Sequence, residues 1–158
     1  MFEDCLSGST YLVNRELPAQ KYCAIMLSMN EVYEFLKSCG TYFLATDDNG
    51  QPRVRPFGTV NIFEGKLYIQ TGKSKNVSKQ IQKNARVEVC ASKGPEWIRV
   101  EGELVRDDRR EPKADMLEHY PDLKKMYSAD DDNTEVLYFK NATATFYSFT
   151  AAPKVVKF

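Results

Sequence analysis

The sequence holds one histidine, His119, and its four cysteines (Cys5, Cys23, Cys39, Cys90) form no C-x-x-C pair. That argues against a zinc site of ordinary spacing. With one imidazole, no secure Ser-His-Asp or Cys-His constellation can be built. Charge of either sign is also missing in excess, since 22 Lys and Arg balance 22 Asp and Glu. No overall basic field recommends nucleic acid, and no acidic excess recommends a solvating tail. No apolar run approaches the roughly 18 residues that suggest a membrane span. Residues 1–25 lack the charged start, apolar stretch and small-residue cleavage site of a signal peptide. The chain therefore reads as a cytoplasmic protein with reduced thiols. Asp130-Asp131-Asp132-Asn133 lacks the alternating ligands and glycine of a calcium loop, so no metal is expected.

What is present is ordinary globular material. The chain has 158 residues, 42% hydrophobic and 28% charged, which suits one domain with a real core. Residues 1–25 show weak periodicity and read as an N-terminal extension, with the compact domain at 26–158. Asn30 caps an expected helix in which Val32, Phe35, Leu36 and Cys39 share a face and Gly40 ends it. Residues 41–46 (TYFLAT) read as a strand, Asn49-Gly50 as a hairpin turn, and residues 51–62 as the returning strand. Pro56 marks a place where pairing breaks. Further strands are expected at 67–71, 87–92, 97–106 and 143–150. Helices are expected from Ser74 or Asn76 to about Asn84, and from Arg109 to about Met126. Residues 135–138 read as an extended piece or a helix end. Strands joined by hairpins, with interleaved helices, imply a mainly β, α+β barrel rather than a doubly wound sheet.

Three windows carry candidate chemistry. Residues 70–86 (QTGKSKNVSKQIQKNAR) contain Lys73, Lys75, Lys79, Lys83 and Arg86 and no acid. Thr71, Ser74 and Asn76 place polar groups where a strand ends and a helix begins. Free N–H groups and the positive end of the helix dipole suit a phosphate there. A basic stripe of this kind also suits a solvated helix face, as Lys79 and Lys83 do. Gly72-Lys73-Ser74 is not the end of a Walker loop, because Leu67 stands where that loop needs glycine.

In the second window, Arg53-Val54-Arg55-Pro56, alternation puts both guanidiniums on one strand face. They can hold an anion or the polar edge of a ring, or simply form a polar outer face. In the third, Trp97-Ile98-Arg99, the sole tryptophan suits a core position, a planar ligand or a subunit contact.

In this order and spacing the windows LAT-DDNGQ-PRVRPFG, LYIQTGKSKNVSKQIQKNARVEV and EWIRVEGEL resemble the pyridoxamine 5′-phosphate oxidase-like family of flavin-binding proteins. The resemblance covers about residues 30–106 well and 107–150 loosely. It implies a six-stranded antiparallel split β-barrel with flanking helices, forming a homodimer with FMN at the interface. It implies that Arg53, Val54, Arg55 and Pro56 lie along the isoalloxazine ring, and that Gln70 and Thr71 approach the ring or ribityl chain. Lys73, Ser74, Lys75 and Asn76 would hold the phosphate, and Trp97 and Arg99 would reach the flavin from the other subunit. The implied activity is an FMN-dependent oxidoreductase acting on a small molecule. The alternative is a non-catalytic module binding flavin, haem or deazaflavin. Oxidases of pyridoxamine phosphate carry a C-terminal Arg and His for the substrate phosphate. The tail Pro153-Lys154-Val155-Val156-Lys157-Phe158 has neither, so that substrate is not expected.

Overall fold

A computed structural model describes residues 18–158. Most of the expected N-terminal extension, residues 1–17, lies outside the described residues. Helix α1 (Ala19–Cys39) starts well before Asn30, with Pro18 at its N-cap. Its first turns carry Ala, Gln and Lys, good helix formers that face solvent and so leave no apolar periodicity to read. Met29, Val32 and Leu36 form its buried stripe. Gly40, at φ 70°, ends it as expected.

The rest is one antiparallel sheet. Its strands are β1 (Tyr42–Asp48), β2 (Gln51–Phe57), β3 (Asn61–Phe63), β4 (Lys66–Gly72), β5 (Arg86–Lys93), β6 (Glu96–Asp107), β7 (Thr134–Ser148) and β8 (Lys154–Lys157). They pair in the order β2-β1-β5-β6-β7-β4-β3, with β8 added alongside β7. The sheet curls around Leu44, Leu67, Ile69, Val89, Ile98 and Val100, all essentially inaccessible to water. Burying each such side chain stabilises the fold by roughly 1.5–3 kcal/mol. The sheet does not close, because β2 and β3 stand at its two ends.

Eight strands replace the expected six. The returning strand breaks at Gly58-Thr59-Val60, just after Pro56, into β2 and β3. Residues 135–138 and 143–148 instead join into β7, in which Asn141 (φ 53°) and Ala142 stand opposite the single Gly102 of β6, a bulge on β7. The tail forms β8, pairing Thr143 with Lys157 and Ala144 with Val156. The β1–β2 hairpin turns at Asn49 (φ 54°) and Gly50 (φ 89°), conformations that Asn-Gly adopts at little cost. The Gly50 amide also donates to the Asp47 carboxylate at 2.8 Å.

Helix α2 (Asn76–Lys83) covers one end of the barrel. Val77 and Ile81 enter the core, and the polar Ser78 and Gln80 are buried beside them. Helix α3 (Arg110–His119) is shorter than expected. Pro121 lacks the amide that would continue it, and the chain turns instead through a 3-10 segment, Pro121–Lys125. The Tyr120 hydroxyl accepts from the Val60 amide at 3.0 Å and donates to the Val60 carbonyl at 2.9 Å, fixing the β2–β3 link.

Candidate functional site

The end of β2, the end of β4, the start of α2 and the 3-10 segment surround a cavity of about 230 Å3. Arg55, Pro56, Gln70, Thr71 and Lys75, five of the residues singled out from the sequence, line it together. Val77 adds an apolar wall, and Leu123, Met126 and Tyr127 cover one side.

Its most telling feature is a set of unanswered polar atoms. Both amide atoms of Gln70 and the hydroxyl of Thr71 are buried without a hydrogen-bond partner among the described residues. Leaving such a group unsatisfied costs about 1–3 kcal/mol. A ligand that supplies donors and acceptors would recover that cost.

The turn between β4 and α2 is held by the residue that leads into the neighbouring strand β7, where Gly72 pairs with Thr134. The Lys73 amide donates to the Asn133 carbonyl at 2.7 Å, and the Ser74 amide to Asn133 Oδ1 at 3.0 Å. Gly72 permits this approach, since a Cβ there would stand 3.0 Å from the Asn133 side chain. The Lys73 and Ser74 amides are therefore committed internally. Among the described residues, the first two amides of α2, Asn76 and Val77, have no acceptor. The ammonium of Lys75 has no ion pair among the described residues and lies 5.9 Å from the centre of the Tyr127 ring. Lys73 instead faces Asp108 at 3.4 Å, an exposed pair worth little energetically.

Asn133 is itself held by Asp131. That carboxylate accepts from the amides of Ser128 (2.7 Å), Asn133 (2.9 Å) and Thr134, and from the Thr134 hydroxyl (3.0 Å). Burial pushes its pKa up, but the backbone donors outweigh that and hold it down at about 2. The folded pKa is depressed, so this contribution to stability is complete above the ordinary carboxylate range and is lost as pH falls through about 2. Asp131→Ala should therefore lower the thermal midpoint near neutral pH, and the difference from wild type should shrink as pH approaches 2. An equal difference at both ends would contradict this role.

Arg55 belongs to a second buried group. Its guanidinium donates to Thr46 Oγ1 (2.6 Å), to Gln80 Oε1 (2.7 Å) and to the Leu44 carbonyl (3.2 Å). Burial, then the Arg53 charge, lowers its pKa. Thr46 completes the set by donating to Gln80 Oε1 at 2.7 Å. A third group ties α2 to the sheet: Arg106 pairs with the buried Glu135 and reaches the Ser78 hydroxyl at 3.5 Å.

Other expected site residues stand apart from this cavity. Arg53 pairs with Asp48 at 3.3 Å on the surface, and Val54 is 64% exposed. Arg99 pairs with Glu88. Trp97 stacks on Tyr147, with centroids 5.1 Å apart, and lines a different cavity between α1 and the β6–β7 pair. Val54, Phe43, Cys90, Arg99 and Trp97 occupy the outer face of the sheet by register.

Sequence reasoning missed Thr46, Gln80, Tyr127 and Asn133. Gln80 left a signal, a polar residue on the same helix face as Val77 and Ile81. Asn133 left none, because its partners are about sixty positions away. Among the described residues, no group of His, Cys, Asp and Glu could hold a metal ion, and no helix is long and apolar enough to cross a membrane.

Comparison with known proteins places this geometry. The sequence pattern of the pyridoxamine 5′-phosphate oxidase family matches residues 28–148. No curated protein matches. A NimC/NimA family protein from Clostridium acetobutylicum shares 41% identity and a TM-score of 0.85, over 90% of this chain and all of the other. General stress protein 26 from Bacillus anthracis shares the fold at 17% identity, with a TM-score of 0.65 over 85% of this chain and 98% of the other. A heme binding protein from Mycobacterium smegmatis does so at 12% identity and 0.63, over 82% of this chain and 57% of the other. With the pattern running from α1 to the end of β7, this chain belongs to the pyridoxamine 5′-phosphate oxidase-like family.

Proposed function

We propose that this protein binds FMN and uses it as an oxidoreductase on a small-molecule substrate. The observation that carries this reading is the cavity itself. Three buried polar atoms of Gln70 and Thr71, without a partner among the described residues, belong to side chains that line the same cavity as Lys75. The donor set suits a phosphorylated, polar-chained ligand. Lys75 with the Asn76 amide would hold the phosphate, with Ser74 and Lys73 at the turn contributing. Gln70 and Thr71 would meet the ribityl chain or ring edge, and Arg55 and Pro56 would border the ring. When bound, the flavin supplies hydride or electron transfer, chemistry that no side chain here provides. The protein's own part is to bind, orient and place positive charge beside the ring.

The cavity is smaller than the roughly 300–1,000 Å3 that encloses a whole ligand of this class. Part of the flavin would lie outside one protomer. The outer sheet face exposes Phe43 (49%) and Val54 (64%), apolar groups that a second copy would cover. We therefore propose a homodimer with the flavin between the copies, Trp97 and Arg99 being the residues that the second copy brings. The one histidine of the chain does not line this cavity, so it offers no imidazole to a haem there. His119 lies 2.9 Å from the Asp115 carbonyl and 3.2 Å from the Asn61 amide instead.

Titration with FMN and riboflavin tests the phosphate assignment. FMN should bind at least about tenfold more tightly, a 1.4 kcal/mol difference. Equal affinities would mean that Lys75 and the start of α2 hold no phosphate.

A further inference from the structure

The ring end and the phosphate end of the proposed site are built on different elements. Arg55 stands on β2, whereas Lys75 and Asn76 stand at the start of α2. One side chain spans the two. Gln80 is 7% exposed, and its Oε1 accepts from both Arg55 and Thr46 at 2.7 Å. Thr46, 5% exposed, in turn accepts from Arg55 at 2.6 Å. The three form a closed ring of hydrogen bonds in which the hydroxyl both donates and accepts. No apolar residue at position 80 could supply that acceptor.

We propose that Gln80 is a positioning residue of the flavin site. It locks the Arg55 guanidinium against the barrel end and fixes that charge relative to the helix start that would take the phosphate. The inference rests on the flavin reading above and goes beyond it, since neither Gln80 nor Thr46 lines the cavity. Arg55 does line it, and a guanidinium freed from Gln80 could swing among rotamers. The geometry also predicts which replacement should work. A carboxylate at position 80 would keep the acceptor and form a charge-assisted bond to Arg55.

The test uses the full-length protein with FMN as probe. Gln80→Leu, Gln80→Glu and Thr46→Val are compared with wild type by fluorescence titration, by the visible circular dichroism of bound flavin, and by apoprotein melting. Gln80→Leu should weaken FMN binding by about tenfold, the loss of one hydrogen bond to a charged group. It should also alter the dichroic band. Gln80→Glu should restore both to near wild type. If Gln80→Leu does not fold, Thr46→Val carries the same expectation, because it removes Arg55's other side-chain acceptor. Wild-type affinity and dichroism in Gln80→Leu, or in Thr46→Val where Gln80→Leu does not fold, would overturn the inference alone. So would an equal loss in Gln80→Leu and Gln80→Glu. Wild-type protein that binds no FMN would remove the site reading and this inference with it.

Discussion

Lys75→Ala is expected to weaken FMN binding by about 1.5–3 kcal/mol, the usual worth of a hydrogen bond to a charged group. That is roughly a 10- to 150-fold rise in Kd. The ammonium borders the cavity and has no carboxylate partner among the described residues, so it is available to a ligand anion. Two comparisons give the expectation its edge. Lys79→Ala, one helical turn along on the exposed face, should leave Kd nearly unchanged. Ser74→Ala should add a smaller loss to that of Lys75→Ala, because it removes a neutral hydroxyl rather than a charged donor. Riboflavin, without the phosphate, should bind wild type and Lys75→Ala alike. Equal effects of Lys75→Ala and Lys79→Ala on FMN would move the phosphate away from the cavity.

The second large effect concerns the fold that carries the site. Glu135 is 1% exposed, its one partner among the described residues is Arg106, and its Oε2 is unpartnered. Arg106→Met removes that compensation for a buried carboxylate. Losses on breaking such pairs run to about 3–5 kcal/mol, and the lower figure suits an arginine that is 31% exposed. For a chain of this length a loss of about 3 kcal/mol corresponds to a fall in Tm of about 6–12 °C. The double variant Arg106→Met with Glu135→Leu should recover most of it, since replacing both partners by apolar groups is often neutral. A double variant no more stable than Arg106→Met would show that the pair is not the source of the loss. Ser78 links this pair to α2, so the single variant should also weaken FMN binding.

Much of this arrangement was legible in the sequence, and the legible parts share a cause. The Asn49-Gly50 hairpin, the α2 boundaries and strands β4 to β6 are set by local chemistry: turn residues, apolar periods and a helix start. Local signals point to Arg55, Thr71 and Lys75, the family resemblance adds Gln70, and the fold places all four at one cavity. What was not legible depends on distant partners. β8 is a short tail whose only reason to be extended is β7. β7 continues through Asn141 as a bulge, two of its residues standing opposite Gly102 of β6. The early turns of α1 carry helix propensity but no buried face. Asn133 and Gln80 act through residues 59, 34 and 25 positions away, and no spacing rule reaches that far. Trp97 and Arg99 were expected as flavin contacts by resemblance, as residues of a second subunit, and in this chain they lie on the outer sheet face.

The flavin phosphate is proposed to lie in the cavity between β2, β4 and α2. The most direct measurement is the visible absorption spectrum of the protein after loading with FMN and gel filtration. Retained flavin bands should elute with a species of twice the chain mass, and should be lost in Lys75→Ala. A colourless protein after loading would contradict the proposal.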